Sequence, residues 1–518
     1  MLIAKLNNIA AKILRLDAQA IVQIGGSIIV IAIFASLAAS YSQTTLLDPK
    51  AKQSLLAFSI VFLTFSYFSI KQKSIELQIF LFWHFLFFWP RVFQYEFLAD
   101  TISLPVPLIS EIEFSKGIVL YCLTFTCFAV GMLLPTFSKN QNLEKPNINF
   151  DFRILIILSL LVILLSFFEF KFFTLPENSP YTLLATQTRE QSSAALIFFT
   201  VFGADTFLTL FLALAFHSMT EPEAAKKQIY ILVYICSVCI FYAFISALIG
   251  SRSGGFKIAI LSITIAILIN ARGKQSLFIG LVFIVFCSSA ILFAKIGDDS
   301  RVKIKVANQT SSSVESVKNR HIDHNANPNV IRILDRMGLS DYFISSLGST
   351  PPSQCLEEYI NIKSQAKTVA NFIALGTPFP ENLRQTPNKY GLCFRPNDKS
   401  NLSSTQYYNS EPWGAFGMLY HFIGELVLPL CLFLGATVSF TLRCLLSNNS
   451  LFAWVSFFVF VPHFINGLYF AMGLDHFTVT TITLTLRVVF AASTLFVAVH
   501  CIKLAECFIK KSKNFTPW

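Results

Sequence analysis

The segment Gly250-Ser251-Arg252-Ser253-Gly254-Gly255 combines the features an anion site needs. Its glycines and serines expose backbone N–H groups in a tight turn that leads into a helix N-terminus. Arg252 adds a permanently charged fork that matches phosphate, and Lys257, one turn into the next helix, adds a second charge. Arg189, at the end of the stretch from Tyr181 to Glu190, is a second cation of this kind. Arg301, Arg320, Arg332, Arg336, Arg384 and Arg395 form a third set within one long polar stretch. The chemistry these residues suit is the holding of a diphosphate at a membrane face. Anchoring to lipid headgroups is the competing reading.

A second group consists of ionisable residues inside apolar runs: Asp205, His421, Glu425, His463 and Arg487. Charge at membrane depth is expensive, so such residues face a cavity or each other. By helical rise they lie roughly 10–18 Å below the outer ends of their runs. His421 and Glu425 are four apart and share a helix face, as a candidate acid–base pair. An ion pair that only holds helices together, Asp205–Arg487 or Glu425–Arg487, accounts for the same charges. A third group precedes the tenth apolar run. There Tyr407, Tyr408 and Trp413 suit a membrane interface or a sugar face, and Glu411 is either a general base on a sugar hydroxyl or a solvated carboxylate. Asp475-His476 is a further acid–base pair, while His321 and His324 stand in a stretch that reads as flexible.

These residues need a scaffold, and composition says which. Only 13% of the 518 residues are charged and 54% are hydrophobic, with 55 Phe, which leaves too little polar surface for a soluble chain of this size. The apolar residues fall in blocks of about twenty, the length that crosses ~30 Å of hydrocarbon as a helix. Strands of an outer-membrane barrel would be shorter and would alternate polar with apolar. The net charge of +11 is concentrated at Lys71/Lys73, Lys226/Lys227, Arg272/Lys274 and Lys510/Lys511/Lys513. Such clusters between apolar blocks mark cytoplasmic connections and not nucleic-acid binding.

Twelve spans are therefore expected, at about 21–39, 54–70, 78–94, 117–135, 153–170, 193–216, 229–249, 256–270, 276–295, 414–441, 451–471 and 478–500, with both termini cytoplasmic. The fold class is all-α and polytopic, divided into 1–295 with nine helices, a polar loop at 296–413, and 414–518 with three helices and a basic tail. The register puts the loop outside. Within it, 328–348 and 354–376 carry apolar residues at helical spacing. Most of the 11 Cys lie in apolar blocks as small hydrophobes, but Cys355 and Cys393 lie in the loop and could pair in an oxidising compartment.

The residues resemble the O-antigen polymerases (Wzy-type oligosaccharide repeat-unit polymerases) and, more distantly, the O-antigen ligases. The shared pattern is about a dozen helices, an outer Arg before a middle span, a Gly-Ser-Arg-Ser-Gly turn, and one large periplasmic loop. That loop ends in Asn, aromatics and a Gly-x-x-Gly leading into the next span. Asn401, Tyr407, Tyr408, Trp413, Gly414 and Gly417 fit this outline, with Pro412 where an Asp is often found and Glu411 beside it. The resemblance implies a lipid-donor glycosyltransferase of the bacterial inner membrane that needs no nucleotide sugar, metal or other cofactor. Arg189, Arg252, Lys257 and Arg336 would hold the diphosphates of two undecaprenyl-linked oligosaccharides. A base among Glu411, His421 and Glu425 would deprotonate the acceptor, Tyr407, Tyr408 and Trp413 would hold sugar, and a chain-length regulator would be a partner. The ligase alternative usually carries a loop His close to the return into the membrane, whereas His324 is some ninety residues away from Gly414. A polysaccharide or lipid-linked oligosaccharide transporter would explain the intramembrane charges but not the large loop.

Overall fold

A computed structural model describes residues 27–38, 49–92, 111–137, 152–174, 203–220, 228–249, 339–348, 415–447, 450–464 and 481–500. Isolated positions within these ranges are excepted, and a few more are described between 292 and 300 and at 504. All regular structure among them is helical, and no strand occurs. The helices are α1 (Pro49–Lys71), α2 (Ile75–Phe87), α3 (Glu111–Leu133), α4 (Phe152–Thr174), α5 (Ala204–Thr220) and α6 (Gln228–Leu248). They continue with α7 (Leu339–Gly348), α8 (Ala415–Ile423), α9 (Val427–Ser447), α10 (Leu451–Pro462) and α11 (Leu484–Val497). Four stretches are long and apolar enough to cross a membrane: Pro49–Lys71, Ile112–Leu133, Arg153–Phe173 and Leu419–Ser447. The expected spans at 256–270 and 276–295 lie outside the described residues, apart from two positions of the second.

Several apolar runs, α4 and α9 among them, become helices with one packed stripe, while α5 is buried nearly all round. On α9 the buried residues are Val427, Cys431, Gly435, Val438, Ser439, Leu442 and Leu446, a spacing of three and four that repeats along one face. The opposite faces of α4 and α9 carry large apolar side chains outward, such as Ile156, Leu160, Leu164 and Phe167 on α4 and Phe433 and Phe440 on α9. Such faces are what hydrocarbon would solvate.

α3 is the central helix of the first group, touching α1, α2, α7 and α9. Its contact with α9 is backbone on backbone. A Cβ built on Gly131 would meet the Leu432 carbonyl, and one on Gly435 would meet the Phe128 carbonyl, the close approach that small residues allow between membrane helices. On its other side α3 supplies Tyr121 and Phe125 to an aromatic cluster. Phe88 stacks on Tyr121 at 4.7 Å, Phe125 meets Phe58 edge-on at 4.8 Å, and Phe58 stacks on Trp89 at 5.7 Å. α4, α5 and α6 form a second group, joined to the first through α10, which packs on both α5 and α9. At one end of α9, the buried Glu76 of α2 accepts from the Ser439 hydroxyl at 3.0 Å and pairs with Arg443.

The tenth expected span, 414–441, is not one helix. α8 ends at Ile423, Gly424-Glu425-Leu426 make a single 3₁₀ turn, and α9 starts at Val427. Gly424 has φ +58°, in the left-handed region that glycine tolerates. Pro429 supplies the second reason. In an unbroken helix its ring would strike the carbonyl of residue 425, whereas in the first turn of α9 it fits. The chain doubles back here. Phe128 touches Gly435 with its carbonyl and Phe416 with its ring, at 5.8 Å. In one straight helix those partners, nineteen residues apart, would stand about 28 Å from each other.

If the backbone contact of α3 with α9 organises the first group, Gly435→Val should cost about 2–3 kcal/mol through overpacking. Thermal unfolding in detergent should show a lower midpoint for it, while Phe440→Ala on the exposed face of the same helix should leave the midpoint within a degree or two.

Candidate functional site

One segment of the long polar stretch, residues 339–348, packs within the bundle. Its helix α7 lies antiparallel to the first half of α3, with Phe343, Ile344, Ser345, Ser346 and Leu347 all buried. Gly117 faces the Ile344 backbone and Gly348 faces the Glu113 backbone, which fixes the direction. The Phe343 ring meets Tyr121 edge-on at 5.4 Å. α8 packs on the other side of α7, with Gly417 against Ser346 and Phe343. Of the expected helical segment 328–348, the part at 339–348 is a helix packed on α3 and α8, while 328–338 and the expected helix at 354–376 lie outside the described residues.

His421 belongs to this junction. Its Nε2 lies 2.5 Å from the Ser346 carbonyl oxygen. A carbonyl only accepts, so Nε2 carries the proton and donates. Ser346 also donates its hydroxyl to the Phe343 carbonyl at 2.8 Å. Glu425 is exposed at the turn. The expectation that His421 and Glu425 share a helix face is corrected: the left-handed residue Gly424 stands between them, so the spacing of four no longer aligns their side chains.

The intramembrane charges converge elsewhere. Arg487 of α11 donates from a terminal nitrogen to Asp205 of α5 at 2.9 Å, both side chains mostly buried (15% and 21% exposed). Of the two ion pairs that the sequence allows for Arg487, this is the one formed. The Ala204 N–H, at the start of α5, donates to Glu169 Oε1 at 2.8 Å, so a carboxylate from α4 caps the positive end of α5. Tyr242 of α6 bonds the Ser246 side chain and lies in the field of Asp205, Glu169 and Arg487. His463, just past α10, bonds the Thr481 hydroxyl at 2.8 Å. Charges and hydroxyls from α4, α5, α6 and α11 thus form one polar island in an apolar helix group.

Arg189, Arg252, Lys257, Arg336, Tyr407, Tyr408, Glu411 and Trp413 lie outside the described residues, as do Cys355 and Cys393. Glu169 and Glu76 were not singled out by sequence reading; Glu169, inside the 153–170 run, carries the signal that drew attention to Asp205, whereas Glu76 stands in the polar connection between two runs. The role of Ser346 had no sequence signal, because its carbonyl and not its side chain meets His421. Cys236 and Cys239 have a Cys-x-x-Cys spacing but sit inside α6.

The class these features define is an all-helical membrane protein. No family model, curated protein or solved structure matches the chain.

Removing one partner of the Asp205–Arg487 pair strands a charge among apolar helices. Arg487→Ala is expected to destabilise by about 3 kcal/mol. Asp205→Ala/Arg487→Ala should lose less than the sum of the single changes, giving a coupling of about 1–3 kcal/mol in a double-mutant cycle on detergent-solubilised protein. Additive losses would show that the pair is not coupled.

Proposed function

We propose that this protein is a membrane-embedded glycosyltransferase that polymerises undecaprenyl-diphosphate-linked oligosaccharide repeat units into O-antigen or a related surface polysaccharide. It works at the periplasmic face of a bacterial inner membrane, with about twelve spans and both termini cytoplasmic. The observation that carries the reading is the burial of α7 between α3 and α8. It ties a long polar stretch into an apolar bundle, as an enzyme must when it presents water-soluble sugars to a donor held in lipid. Glu425, in the turn between α8 and α9, is exposed.

In the reaction, an acceptor sugar hydroxyl attacks the anomeric carbon of the donor. The C–O bond to the diphosphate breaks as the glycosidic bond forms, and undecaprenyl diphosphate leaves. The hydroxyl proton goes to a carboxylate, for which Glu411 and Glu425 are the candidates. Charge grows on the departing diphosphate, and fixed cations that match it lower the barrier. Arg189, Arg252, Lys257 and Arg336 are assigned that work, and Tyr407, Tyr408 and Trp413 are assigned to sugar faces. A chain-length regulator is the expected protein partner, and no cofactor enters the chemistry.

The test is deletion of the gene in its host, complementation with wild type or Arg252→Ala, and electrophoresis of the lipopolysaccharide. The reading predicts a deletion strain with core plus a single repeat unit, a ladder restored by wild type, and at least a hundredfold less polymer with Arg252→Ala. Long polymer retained on its lipid carrier would mean ligation, and an unchanged ladder would redirect the assignment to transport.

A further inference from the structure

α7 is ten residues long, and isolated helices shorter than about twelve to fifteen residues are marginal in water. Its order therefore comes from what it touches. Two of its contacts are with glycines, Gly117 on α3 against the Ile344 backbone and Gly417 on α8 against the Ser346 and Phe343 side chains. A polar link to α8 runs from the His421 N–H to the Ser346 carbonyl. Ser346 lies among the last four residues of α7, whose carbonyls have no partner inside the helix, so His421 caps that end. On the far side, α8 is joined to α9 through Gly424, and among the described residues nothing but its chain neighbours lies within 4 Å of where a side chain on Gly424 would begin. The arm that carries His421 is thus attached through an uncrowded left-handed turn. By contrast, α3 and α9 meet along two helices of 23 and 21 residues.

We propose that α7 is a latch, which undocks from α3 and α8 while α3 and α9 stay packed, and that His421 holds it shut through the Ser346 carbonyl. Undocking uncovers the stretch of α3 around Gly117 and Tyr121. His421 is then a positioning residue, and what it needs is a donor at the Nε2 position. Gln can supply that donor, and Phe, of similar shape, cannot. The inference does not depend on which reaction the protein carries out.

The test is hydrogen exchange followed by mass spectrometry on the full-length protein in lipid nanodiscs, comparing the amides of 343–348 with those of 116–132. In the wild type, 343–348 should exchange at least about tenfold faster, as a locally opening unit does. His421→Phe should speed 343–348 by about fivefold, the weight of one hydrogen bond, and leave 116–132 unchanged. His421→Gln should stay within about twofold of the wild type. Exchange of 343–348 in step with 116–132 in the wild type would overturn the proposal, because α7 would then open only with the whole bundle. An unchanged rate in His421→Phe, or equal acceleration in Phe and Gln variants, would overturn the role of His421. A His421→Phe protein that accelerates both segments alike would place α7 in the cooperative core and overturn the latch.

Discussion

The backbone contact between α3 and α9 is the constraint on which the first helix group depends. Gly131 and Gly435 bring the two helices so close that each occupies the space where the other's side chain would be. In hydrocarbon there is little hydrophobic drive for one apolar helix to prefer another over lipid, so close packing has to supply the preference. Once α3 and α9 are fixed, the remaining faces of α3 are set. One side receives α1 and α2 through Phe58, Phe125, Tyr121 and Phe88. The first half of the helix, beyond the reach of α9, is left for α7.

Polar links then sit where packing alone would not choose a partner. Glu76 with Ser439 and Arg443 ties α2 to α9. Asp205 with Arg487 ties α5 to α11, and Glu169 ties α4 to the start of α5. Each joins residues far apart in sequence, and a charge left unpaired at membrane depth costs more than the pair gains. The effect is selective more than stabilising: wrong helix neighbours would leave one of these groups stranded. The Ser159 and Tyr234 hydroxyls, bonded between α4 and α6, work in the same sense without charge.

Much of the helical architecture was legible in the sequence. Runs such as 153–170 and 229–249 need no more than length and apolarity to be read as helices, and they appear as Phe152–Thr174 and Gln228–Leu248. The Asp205–Arg487 pair was legible as one of two options, because opposite charges in apolar runs seek each other, but the neighbour relation of α5 and α11 was not. The break in the 414–441 run was hidden by hydropathy, which is continuous across it. Gly424 and Pro429 carried the information, since a glycine five residues before a proline marks where a helix can stop and restart. The burial of α7 was half legible. Its apolar spacing announced a helix with a face to bury, but Gly117 and Gly417, the surfaces that receive it, have no side chain to advertise the contact.

The doubling back at Gly424 is the step from which the buried junction follows, because it brings α8 and His421 onto α7. It fixes which part of α3 faces Phe416. In a chain whose other cysteines are replaced, Phe416→Cys should be joined by a short bifunctional maleimide to Phe128→Cys, and not to Phe114→Cys. An unbroken helix would instead carry residue 416 about 28 Å beyond the level of Gly435, and cross-linking to Phe114→Cys with none to Phe128→Cys would contradict the account.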